Sequence, residues 1–140
     1  MIKVKQQKMS KAFMKTHLLG MPFPAVIHRF KDIDQGDAHD HPFAFTSTIL
    51  YGGYIEEVSF MNETGLWCFK TIHRKPGDTF RVEATCIHKI IELPHGECYT
   101  IILPEAKVRE THFWRFDGYS ASCRVWNKRI FKPCKVNGHT

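Results

Sequence analysis

The chain has 140 residues, 43% hydrophobic and 24% charged, with a formal net charge of +6. That length suits one domain with a core of its own, and no apolar run approaches the roughly 18 to 20 residues needed to cross a membrane. The five cysteines (Cys68, Cys86, Cys98, Cys123 and Cys134) form no C-x-x-C pair, so neither a zinc ribbon nor a thioredoxin-type site is indicated. Reduced thiols in a cytoplasmic protein are the simplest expectation.

Residues 1–25 form a basic leader in which Lys3, Lys5, Lys8, Lys11 and Lys15 precede any acid. It lacks the apolar core of a secretory signal. Such a run can touch nucleic acid or another acidic surface, but a solvated leader is the simpler reading. One short helix is expected around "SKAFMKTHLL", capped by Ser10.

Residues 26–140 read as a single all-β domain. The expected strands are "AVIHRF", "FAFTSTILY", "YIEEVSF", "LWCFKTIHR", "DTFRVE", "HKIIEL", "CYTIILP", "HFWRF" and "CRVWNKRIF". Between them lie "GG", "NETG", "KPGD", "PHGE", "PEAK" and "DGYS", whose Gly, Pro, Asn and Asp supply turn geometry. Strands at roughly 8- to 12-residue spacing without amphipathic crossovers indicate a sandwich or barrel.

The stretch "DAHDHPFAF" carries the chemistry. On a strand His39 and His41 point to one face, and two imidazoles at that spacing can lean onto one ion. Phe43, Phe45, Ser47 and Ile49 share their parity and suit a barrel interior, although Pro42 breaks or edges the strand. His88, which opens the apolar run after "KPGDTFRVEATC", is the candidate third ligand.

These residues carry a resemblance. "GDAHDHPFAFTSTILYGG" resembles the first motif of the cupin superfamily, G-x5-H-x-H-x(3,4)-E-x6-G. "PGDTFRVEATCIHKIIE" resembles the second, G-x5-P-x-G-x2-H-x3-N, in a relaxed form. The family's metal histidines fall on His39, His41 and His88, and the closing glycine of the first motif falls on Gly53. The resemblance implies a cupin-type jelly-roll β-barrel holding one divalent metal, often iron, nickel, manganese or zinc. The family's glutamate ligand falls on Thr46, or on Phe45 with the shorter gap, and neither is a good ligand. Gly36 lies only three residues before His39, and Glu92 stands where asparagine is usual. The loss of the glutamate implies a three-histidine face like that of cysteine-dioxygenase-like cupins, with Fe(II) favoured. Glu56, from the adjacent strand, is the alternative fourth ligand, although a surface role for it is the simpler reading.

The other candidates are weaker. Asp37 and Asp40 are either solvated or hydrogen-bonded to a ligating imidazole. Cys86 shares parity with His88 and lines the same cavity as a nucleophile, a soft ligand or a plain buried thiol. Arg29, Arg81 and Arg115 lie on strands, where one could clamp a substrate carboxylate. Tyr54 and Tyr99 could donate a hydrogen bond to substrate, and Phe45 supplies apolar wall. The leading expectation is a small-molecule dioxygenase. The rivals are a metal- or ligand-binding cupin without turnover, acting as sensor or accessory protein, and a metal-independent cupin resembling sugar-nucleotide epimerases. A nucleic-acid-binding barrel ranks last, for want of a basic-aromatic motif. Pairing of two copies through an edge strand is open.

Overall fold

The computed structural model describes residues 2–135. In chain order the strands are β1 (Lys3–Lys8), β2 (Phe13–Leu19), β3 (Ala25–Phe30), β4 (Ala38–His39), β5 (Phe45–Tyr51), β6 (Tyr54–Met61) and β7 (Trp67–Arg74). They continue with β8 (Thr79–Val82), β9 (Ile87–Glu92), β10 (Cys98–Pro104), β11 (His112–Asp117), β12 (Ser120–Val125) and β13 (Lys132–Pro133). Among the described residues there is no helix, and hence none long and apolar enough to cross a membrane.

Two antiparallel sheets make a jelly roll, one ordered β1-β2-β3-β10-β5-β8 and the other β13-β12-β11-β4-β9-β6-β7. Alternation sets the faces. Phe45, Ser47 and Ile49 of β5 are buried, and so are Cys98, Thr100 and Ile102 of β10. Between the sheets, Val26, Phe45, Val82 and Ile102 form one cluster, and Ile49, Tyr54, Ile90 and Cys98 form another. The sheets are not closed into a continuous barrel: β8 ends one, and β7 ends the other.

A third cluster lies on the other face of the second sheet, where Ala38, Trp67, Ile87, Trp114 and Cys123 pack with Phe116. The sheet curls to cover it, since the Trp67 N–H at the start of β7 donates to Gly118 O in the β11–β12 turn, 3.0 Å away. Trp67 and Phe116 meet with ring centroids 4.5 Å apart.

Three sequence expectations need correction. The "SKAFMKTHLL" segment is not helical. Ser10 turns the chain between β1 and β2, its Oγ accepting the Ala12 N–H at 3.1 Å, and β2 adds to the edge of β3 with Phe13 stacked on Phe30, 4.7 Å between centroids. The edge of β3 offers unpaired backbone groups, and satisfying them outweighs a weak local helix preference. The cysteines are not all reduced either: Cys123 of β12 is disulfide-bonded to Cys134, just after β13, leaving Cys68, Cys86 and Cys98 free. The last expected strand is also shifted. It runs as Ser120–Val125 and gives way to a turn after Val125.

The Gly52–Gly53 turn joins β5 to β6, and both residues have positive φ, 80° and 73°. A Cβ on Gly52 would collide with the Glu97 carbonyl, and one on Gly53 with the Arg74 carbonyl. The turn therefore needs glycine twice, for conformation and for closeness. Beyond it, β6 runs with Tyr54 beside Arg74 of β7 and Glu56 beside Ile72 of β7 and Ile90 of β9.

Candidate metal centre

The site is built where the short β4 meets β9. His39 and His88 are direct cross-strand partners, so their side chains leave the same face of the sheet. The strand ends after His39, as Pro42 leads one to expect. His41 is held in the following loop by its N–H, which donates to Ala84 O at 3.0 Å. Pro42 keeps the loop tight from the other side, its carbonyl accepting the Val108 N–H at 2.9 Å.

The three imidazoles converge. Their ring centroids lie 4.9 Å (His39–His88), 4.7 Å (His41–His88) and 5.4 Å (His39–His41) apart. One nitrogen from each ring lies within 4.8 Å of the others. Nε2 of His41 and Nε2 of His88 are 3.0 Å apart. Burial, reinforced by the charge of His88, pushes His39 down to about 3. Burial and the neighbouring His88 and His39 also lower His41 well below the ordinary value. Both rings are therefore neutral at physiological pH, the form in which imidazole binds a cation.

Glu56 stands behind the cluster. It is 2% exposed, and its Oε1 accepts a hydrogen bond from Nδ1 of His88 at 2.9 Å. Its Oε2 accepts from Nε of Arg74 at 2.8 Å. Burial works to raise the carboxyl, but the hydrogen bonds and charges of His88 and Arg74 outweigh it and hold Glu56 below the ordinary value. An ionised Glu56 keeps the His88 proton on Nδ1 and turns the Nε2 lone pair toward the other two rings. Arg74 is in turn braced over the Phe80 ring, 3.7 Å from its centroid.

The donor set fits a divalent cation. Two nitrogens bound cis to one octahedral ion at about 2.1 Å sit about 3.0 Å apart, the spacing of the His41 and His88 nitrogens. His39 would supply the third nitrogen of such a set. Where the resemblance puts the family's glutamate, the structure turns Phe45 inward, its ring 5.1 Å from that of His41. Thr46, on the outer face, pairs with Arg81 of β8.

The other sequence candidates fall on both sides of the sheets. Tyr54 is buried near Glu56, and burial, with Glu56 adding to it, raises its hydroxyl well above the ordinary value. Cys86 packs beside Phe45 and Val82. Burial and Glu56 push its thiol up to about 11, which keeps it protonated and a poor nucleophile. Arg29 and Tyr99 are register partners on the outward face, where Arg29 pairs with Glu97 at 3.3 Å. They point away from the histidines because the neighbouring pair, His28 and Thr100, takes the inward face. Arg81 is tied to Glu83 and Glu105 outside, and Arg115 pairs with Asp37 at 3.1 Å.

Asp40, between the two histidines, points the opposite way. It is 1% exposed, accepts the His112 N–H at 2.6 Å and the Trp114 Nε1–H at 3.0 Å, and pairs with Arg109 at 3.0 Å. Burial lifts its carboxyl above the ordinary value against the pull of those partners. Asp40 thus fixes the loop to β11 and touches no imidazole of the cluster. Arg74 and this anchoring role escaped the sequence reading. Counting register back from the "NETG" turn between β6 and β7, which sets Met61 opposite Trp67 and Arg74 opposite Tyr54, was the signal that could have found the arginine.

Two facing antiparallel sheets with a histidine cluster between them define the cupin fold, and comparison with solved structures agrees. The hydroxypropylphosphonic acid epoxidase from S. wedmorenis superposes with a TM-score of 0.54 at 13% identity, over 74% of this chain and 56% of its own. FeII HppE gives a TM-score of 0.54 at 12% identity, over 74% and 57%. CapF with the inhibitor 3-isopropenyl-tropolone gives 0.54 at 10% identity, over 73% and 30%. The chain thus spans little more than half the length of the first of these neighbours. No family model matches the sequence, and no curated protein matches it. This chain is a cupin-fold protein with a three-histidine site.

Proposed function

We propose that His39, His41 and His88 hold one divalent metal, with Fe(II) favoured over nickel, manganese or zinc, and that the protein is a small-molecule dioxygenase. The observation that carries this reading is the convergence of three imidazoles, His41 and His88 buried and His39 partly buried, with one nitrogen from each within 4.8 Å of the others. A similar fold in a protein described as FeII HppE supports the choice of iron.

When bound, such an ion supplies Lewis acidity and open coordination positions for a small substrate and dioxygen. The chain's own residues do the rest. Three neutral ligands leave the charge of a divalent ion uncompensated, which favours an anionic substrate. Glu56, with Arg74 behind it, holds the proton on Nδ1 of His88 and so fixes which nitrogen faces inward. Phe45 and the partly buried Phe43 wall the site with apolar rings that exclude water.

The His41–His88 contact also supports a second reading, because a metal-free pair of histidines can share one proton at 3.0 Å. That arrangement would suit a metal-independent cupin using a histidine base. Oxygen uptake by iron-loaded protein with a panel of small thiols and organic acids tests the first reading. Substrate-dependent uptake that is lost in His88→Ala supports it. No uptake with any substrate, from protein shown to contain iron, overturns the dioxygenase assignment.

A further inference from the structure

A second polar group lies on the inner face of the opposite sheet. Lys15 of β2, His28 of β3, Thr100 of β10 and Ile49 of β5 stand side by side in one cross-strand row. Ile49 and Thr100 are each 1% exposed, so the row faces the interior. The Thr100 Oγ1 is buried with no hydrogen-bond partner, an arrangement that costs about 1–3 kcal/mol unless something satisfies it. Lys15 has the Phe13 ring 5.7 Å from its ammonium, and among the described residues no carboxylate pairs with it. Burial alone lowers the Lys15 ammonium. Burial, with Lys15 and His17 beside it, pushes His28 down to about 3. Lys15 and Thr100 thus flank His28, one on each neighbouring strand, the first a half-buried cation with no carboxylate paired to it among the described residues and the second an unsatisfied hydroxyl.

We propose that Lys15 and Thr100, with His28 between them, form a subsite for the oxyanion head of a small organic acid. The inference extends the metal-site reading, naming the substrate class for that site. The adjoining residues of the same face, Val26 and Ile102, pack with Phe45, whose ring lies against His41. The inner face of the sheet therefore runs from the oxyanion head to the histidines. The body between them lies over apolar side chains. The ligand class is a small organic acid with an apolar middle, its head a carboxylate or a phosphonate. Lys15 supplies the charge, the Thr100 hydroxyl donates one hydrogen bond, and neutral His28 offers a second donor.

The test is calorimetric titration of the full chain with inorganic phosphate, methylphosphonate and linear monocarboxylates of increasing length. The parent protein, Lys15→Met and Thr100→Val are compared. The subsite predicts binding to the parent, weakened by about ten- to a hundredfold in Lys15→Met, since a charge-assisted contact is lost. Thr100→Val is the sharper variant. Valine fills the same volume without the hydroxyl, so the variant should fold with equal or greater stability and still bind several-fold more weakly. Preference for the phosphonate or for the carboxylates identifies the head group. A parent that binds none of these probes, or a Thr100→Val that binds as the parent does, overturns the subsite. Repeating the titration with His41→Ala separates the two readings. Anion binding that survives while metal is absent keeps the subsite, and metal binding that survives in Lys15→Met keeps the histidine site.

Discussion

The Nδ1 proton of His88 is held by Glu56, 2.9 Å away, and the other oxygen of that carboxylate receives Arg74 at 2.8 Å. Buried His88 and Glu56 and the partly buried Arg74, from three adjacent strands of one sheet, thus decide which nitrogen of His88 faces the cluster. The carboxylate that the sequence offered as a possible fourth ligand is hydrogen-bonded to the candidate ligand His88.

Replacing Glu56 with glutamine keeps the shape and removes the charge. Metal affinity, read by competition with a chromophoric chelator, should fall about ten- to a hundredfold. Arg74 then loses a buried counterion, so the unfolding midpoint in urea should fall as well. Unchanged affinity in a folded Glu56→Gln protein would mean that His88 needs no orienting partner.

Asp40 anchors the His39–His41 loop through His112, Trp114 and Arg109. Asp40→Ala strands two buried donors and leaves Arg109 unpaired. The expected loss is about 3–5 kcal/mol of folding stability, measured by denaturant titration. A loss below about 1 kcal/mol would contradict this role.

Acid should destabilise the metal-free protein well above the carboxylate range. The pKa values of His28 and His39 are depressed on folding from 6.5 to about 3. The unfolded chain therefore binds more protons than the native one between those limits, and stability falls as pH drops below about 6.5. Each group contributes up to about 1.4 kcal/mol per pH unit inside that window. Glu56, also depressed, adds loss in the same direction lower down. Asp34 and Asp40 are raised and act oppositely, but only near the carboxylate range. A melting temperature that does not change from pH 7 to pH 5 in metal-free protein would contradict the burial of these neutral rings.

The strand pattern was legible because Phe45, Ser47 and Ile49, or Cys98, Thr100 and Ile102, repeat at the period of a pleated sheet. The hairpin of β1 and β2 was not. Lys3–Lys8 is exposed throughout and carries no alternation, and Phe13, Met14, Leu18 and Leu19 also fit a helical period. Only the free edge of β3, a tertiary fact, decides between them. Within the site, the H-x-H spacing and the later histidine were readable. Glu56 stood only as an alternative ligand, with a surface role the simpler reading, because the partner that makes its burial tolerable, Arg74, reaches it from the neighbouring strand. The direction of Asp40 follows from the same alternation that turns His39 and His41 inward.

The disulfide predicts a thiol count. Protein purified without reductant and then unfolded should show three reactive thiols, Cys68, Cys86 and Cys98, and five after reduction. Closing a loop with a sequence separation of 11 stabilises by about 2–3 kcal/mol, so reductant should lower the unfolding midpoint. Five reactive thiols before reduction would contradict the Cys123–Cys134 link.

Elemental analysis of untagged protein, expressed without added metal, tests the shared three-imidazole centre most directly. The expected result is close to one divalent ion per chain, with iron leading, and almost none in a folded His41→Ala. Equal metal content in the two proteins, or none in a parent that also fails to take up added Fe(II), would contradict it.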